Sequence, residues 1–78
     1  MSTYHEEYKQ IKLKICSYQI VYVCEHYQVF RVIDGKRHSK SDLTNKKLEA
    51  VIRYLSDAEM MNVEDIRGIY EEAETMAA

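Results

Sequence analysis

The chain contains no proline and no tryptophan, and its only glycines are Gly35 and Gly68. Long irregular loops rely on proline and glycine, so few are expected. Two isolated glycines also exclude the glycine-rich phosphate loops of nucleotide-binding folds. The two cysteines, Cys16 and Cys24, are too few for a disulfide framework and are expected as free thiols. No apolar run approaches the ~20 residues that cross a bilayer. The opening Met-Ser-Thr-Tyr-His-Glu-Glu-Tyr-Lys lacks the cationic start and apolar stretch of a secretory signal. A cytoplasmic protein with no membrane partner is expected.

What remains suits a folded domain. The 78 residues are 46% apolar and 31% charged, which argues against disorder. This length allows one domain, residues 1–78, burying roughly 60% of its unfolded surface. The net charge of −2 hides a split. Residues 31–53 carry a net +4 and residues 54–78 a net −6, while residues 1–30 balance. Such asymmetry marks segments with different partners, or segments that face each other.

Residues 19–33 have the strongest strand signature and are apolar on both faces. Ile20, Tyr22 and Cys24 fall on one face, Val21 and Val23 on the other. Two strands are expected, near 18–25 and 28–33, with a turn at 25–27. Asp34-Gly35 tolerates the positive φ of a tight hairpin and predicts a third strand at 36–40, whose charges suit an exposed edge. Residues 4–16 fit two templates. Tyr4, Tyr8, Ile11, Ile15 and Tyr18 make a helical stripe, with Thr3 and Glu6 as a capping box. Ile11, Leu13 and Ile15 alternate as a strand would. The helix is the favoured reading because it uses the cap and the tyrosines.

Two helices follow. Thr44 is expected to cap the first, with Leu43 and Leu48 as a staple and Leu48, Val51, Ile52 and Leu55 buried. Asn62 is expected to cap the second, with Met61 and Ile66 as its staple. Its stripe runs through Val63, Ile66, Tyr70, Ala73 and Ala77. Gly68 sits mid-helix at about 1 kcal/mol relative to Ala, which a close approach by another element would explain. The fold class expected is α+β: a small antiparallel sheet of two or three strands, an N-terminal helix and two C-terminal helices.

Recognisable chemistry is scarce. Cys16, Cys24, His26 and His38 are metal-ligand types, but their spacing does not match the tight pairs of structural zinc sites. Cys24, Glu25 and His26 are neighbours in sequence, which in a strand sends adjacent side chains to opposite faces, and no oxyanion loop accompanies them. No metal, cofactor or catalytic residue is assigned, and a non-enzymatic protein is expected.

Binding is the stronger theme. Tyrosine occurs seven times and phenylalanine once, and tyrosine is enriched at interfaces. Tyr22, Tyr27 and Phe30 are protein-binding candidates on the sheet. Glu64, Asp65, Glu71, Glu72 and Glu74 are candidates on an acidic helix expected over 63–76, which would steer a basic partner. The expected function is a small regulator or inhibitor of a larger protein machine, one that could itself handle nucleic acid. A phage or mobile-element origin suits that role. The alternative is a nucleic-acid-binding domain, with Lys36, Arg37, Lys40, Lys46 and Lys47 on phosphates and Tyr22, Tyr27 and Phe30 stacking bases. Against it stand a pI near 5.9 and the missing aromatic motif of RNA-recognition sheets. A self-associating structural subunit, such as a homodimer, is the further alternative.

Overall fold

The computed structural model describes residues 7–73 and 75–77. It is an α+β fold with the order β1 (Glu7–Lys12), β2 (Ser17–Val23), β3 (His26–Ile33), β4 (Lys36–Arg37), β5 (Leu43–Asn45), α1 (Leu48–Glu59), α2 (Val63–Glu72) and β6 (Thr75–Ala77). The strands form one antiparallel sheet in the order β4-β3-β2-β1-β6, and β5 also pairs with β3.

The expected N-terminal helix is not found over residues 7–12, which are strand β1. The Thr3–Glu6 capping box and Tyr4 lie outside the described residues. The strand template prevails because pairing with β2 satisfies the backbone of both along all of β1, from Glu7 opposite Tyr22 to Lys12 opposite Ser17. It also buries both Ile11 and Leu13, the latter being the residue that the helical stripe leaves out.

The β2–β3 turn is tighter than expected. Val23 pairs with His26, so only Cys24 and Glu25 form the turn, and both have positive φ (53° and 62°). That is the signature of a type I′ turn, which asparagine and glycine normally serve. His26 Nδ1 lies 2.8 Å from the Cys24 carbonyl and holds the turn from inside. Asp34-Gly35 forms the second hairpin turn as expected, with φ of 53° and 78°, but the strand after it is only Lys36–Arg37.

Helix α1 begins later than expected. Thr44 lies in β5 opposite Gln28, and the residue flanking the helix is Lys47, whose N–H donates to Asn45 Oδ1 at 2.9 Å. Helix α2 ends at Glu72 rather than continuing to 76, because residues 75–77 pair with the open edge of β1. Asn62 flanks α2 in extended conformation but makes no side-chain cap bond. Gly68 has no close neighbour: a Cβ there would meet nothing within 4 Å.

Both helices pack on one face of the sheet. Ile11, Tyr18, Ile20 and Val29 from the strands meet Val51, Ile52 and Leu55 of α1 and Ile66 of α2. Register puts Tyr8, Gln19, Val21, Val23, Gln28, Phe30 and Val32 on the opposite face. No helix among the described residues packs there. Val21 is nonetheless 0% exposed, lying in register between Tyr8 and Gln28 at the middle of the sheet.

Candidate functional site: a tyrosine-lined cleft

The helix face of the sheet extends beyond the end of α2. There Tyr22 and Tyr27 stand opposite each other on β2 and β3, their ring centroids 4.7 Å apart and tilted by 47°. Glu7 and Lys9 on β1 share this face, since they pair with Tyr22 and Ile20. Tyr70, in the last turn of α2, closes the far side. Together with Ile20 and Tyr8 these residues line a cleft of about 340 Å³. Tyr22 stays 39% exposed, while Tyr27 and Tyr70 are half-buried.

Lys9 fixes the cleft wall. Its ammonium donates to the Tyr70 carbonyl at 3.1 Å and lies 4.0 Å from the centroid of the Tyr70 ring. A cation placed at the carbonyl end of a helix and over a π face is favoured on both counts. Burial raises the pKa of the Tyr70 hydroxyl, and Tyr27 and Glu7 beside it act in the same direction. The phenol therefore remains a neutral donor and acceptor. These groups can hold a side chain by stacking and hydrogen bonding.

Phe30 does not join Tyr22 and Tyr27. It lies three residues from Tyr27 on β3 and so faces the other side of the sheet, where Arg37 covers its ring at 4.5 Å and donates to Gln19 Oε1 at 3.2 Å. A shared stacking platform of all three rings is therefore not formed. Nor do the basic residues converge. Lys36 and Arg37 pair with Ile33 and Val32 at one end of β3. Lys46 and Lys47 follow Asn45, which pairs with Tyr27 at the other end, about 16 Å away along the strand. Lys40 lies exposed in the loop between them.

The acidic candidates Glu64, Asp65, Glu71 and Glu72 are all exposed on α2; Glu74 lies outside the described residues. Glu64, Asp65 and Glu72 rim a shallow groove floored by Met61, Gly68 and Ile69. The ion pairs leave the charge split intact. Arg67 pairs with Glu49, and Arg31 with Asp42 at 3.2 Å. The first joins the one basic residue of segment 54–78 to an acid of segment 31–53. The second lies within the basic segment. Glu64, Asp65, Glu71 and Glu72 on α2 are left facing solvent.

The tyrosines thus divide by role. Tyr18 is core, Tyr54 is half-buried and donates to Asp42 at 3.1 Å, and Tyr8 lies on the opposite sheet face. Tyr22, Tyr27 and Tyr70 share the cleft, and Tyr8 borders it from β1. Sequence reading missed Tyr70, Glu7 and Lys9 as site residues. The i, i+2 placement of Glu7 and Lys9 becomes a signal only once residues 7–12 are read as a strand. Among the described residues, no three His, Cys, Asp or Glu side chains are grouped to hold a metal ion.

The chain matches no known protein family, no curated protein and no solved structure.

Proposed function

We propose that this chain is a small non-enzymatic protein-binding domain that regulates or inhibits a larger protein, and that the tyrosine cleft is its contact surface. One observation carries the reading: Tyr22 and Tyr27 are held as a ring pair at 4.7 Å in the wall of a cleft that Tyr70 closes. Rigid amphipathic rings in a preformed cleft lose little entropy on binding, and such residues dominate interface energetics. The uncompensated acidic surface of α2 beside it favours a partner that is basic around its contact patch. The split basic residues and the covered Phe30 weigh against the nucleic-acid alternative.

Affinity capture from native lysate, with and without nuclease, tests the proposal. A protein captured in both conditions and lost with the Tyr22→Ala/Tyr27→Ala variant supports it. Capture that vanishes with nuclease, or that ignores both tyrosines, defeats it.

Self-association is a second reading, favoured by the helix-free sheet face, where Val23 and Val32 stay half-buried. It predicts a concentration-dependent dimer in light scattering that Val23→Glu dissociates. A monomer at every concentration sinks it. Val23 is the position to change, because the fully buried Val21 would unfold the sheet if charged.

A further inference from the structure

The charges around the cleft are unequal. Glu7 lies in its wall, and Glu71 and Glu72 occupy the last turn of α2, whose carbonyl end carries a partial negative charge. The cation among the lining residues, Lys9, is already engaged by the Tyr70 carbonyl and ring. The Tyr22 and Tyr27 rings carry no such cation among the described residues. We propose that the tyrosine cleft receives an arginine side chain of a partner protein, its guanidinium stacked on the Tyr22–Tyr27 pair with Glu7 as counter-ion. This rests on the protein-binding reading and specifies the chemistry of the occupant. Arginine fits better than lysine because its planar, weakly hydrated head can stack on a ring and bond a carboxylate at once. Lys9 shows that the third ring of this cleft accepts a cation at 4.0 Å.

The test is an amide-shift titration of the ¹⁵N-labelled protein with N-acetyl-arginine amide, against N-acetyl-citrulline amide as the neutral isostere. The expected result is saturable shifts confined to β1, the turn end of β2 and β3, and Tyr70. Citrulline should bind about fivefold more weakly or less, Glu7→Gln should weaken arginine by a similar factor, and Tyr22→Ala should abolish the response. Both substituted positions keep some exposure, and thermal melts confirm that the variants fold. Equal response to citrulline, shifts elsewhere, or no saturable shift would each overturn the proposal. A partner still captured through Tyr22 and Tyr27 in that case leaves the protein-binding reading standing, with a different side chain in the cleft.

Discussion

Among the described residues, Glu59 is the charged side chain buried in the core, at 0% exposure. Its carboxylate closes the far end of α1 onto the β1–β2 loop. Ile15 N–H donates to Oε1, Cys16 N–H to Oε2 at 2.9 Å and the Tyr18 hydroxyl to Oε2 at 2.8 Å. Burial alone would raise the carboxyl pKa. The donors, with the Lys14 N–H among them, outweigh it and hold the group below the ordinary carboxylate range. Tyr18 responds in the opposite sense: burial, and then its bond to Glu59, push its hydroxyl pKa up. Glu59→Ala would strand the buried Tyr18 hydroxyl and two part-buried backbone N–H groups and is expected to destabilise the fold by about 2–4 kcal/mol. Glu59→Gln, which keeps the shape but turns an amide towards those donors, is expected to lose less. Because the folded-state pKa is depressed, the contribution is complete above the unfolded carboxylate value. It is lost as pH falls through the folded one. Urea melts from pH 7 down to pH 3 should show the gap between the native protein and Glu59→Gln closing with acidity. A gap that stays constant would show that the charge is not what matters. The sequence holds a signal for this residue, since Glu59 continues the stripe of Ile52 and Leu55 at i+7 and i+4. A carboxylate on an apolar stripe is a buried polar group in want of donors. Where those donors lie depends on a loop more than 40 residues away, which no local pattern reveals.

The elements differ in how well local chemistry matches local shape. Asp34-Gly35 suits its turn, and the Val51, Ile52 and Leu55 stripe suits its helix, so both were legible in the sequence. Cys24-Glu25 does not suit its turn, which is why the turn was expected one residue later and longer. Two non-glycine residues in the left-handed region each carry a strain of roughly 1 kcal/mol or more. Both side chains are exposed, so replacing them removes no packing. The double substitution Cys24→Asn/Glu25→Gly is therefore expected to raise stability by about 1–2 kcal/mol, read as a higher urea midpoint at unchanged slope. A lower midpoint would mean that the native pair makes contacts worth more than its strain. Residues 7–12 show the opposite problem. The Tyr8–Ile11 spacing favours a helix, and it is pairing with the open edge of β2 that overrides it.

For the whole molecule, the α+β class, the two-sided apolar character of residues 19–33 and the two later helices could be read from patterning alone. The division of that stretch between faces could not. Alternation correctly separated Ile20 and Tyr22 from Val21 and Val23, yet it could not say which face the helices would cover. Of the sheet aromatics, Tyr22 and Tyr27 lie on the helix side, where Tyr70 of α2 closes the cleft, and Phe30 lies on the other. The cleft exists because α2 stops at Glu72 while β1, β2 and β3 continue beyond it, and helix ends are the part of a sequence reading with the least physical signal. Charge was legible in amount but not in pairing. Its consequence is an exposed acidic surface on α2, which raises the encounter rate with a basic partner before any contact forms.

The strained turn at Cys24-Glu25 also bears on the order of events as the chain folds. A hairpin whose turn is locally favourable can form early and template its neighbours. The longest ladder of this sheet, between β2 and β3, is joined by a turn the isolated chain disfavours. Its register must then come from collapse of Ile20 and Val29 onto the helices rather than from the turn. The same Cys24→Asn/Glu25→Gly protein reads this out in stopped-flow refolding. If the turn forms only after the transition state, the added stability appears as slower unfolding with the refolding rate unchanged. Faster refolding would place the turn in the nucleus instead.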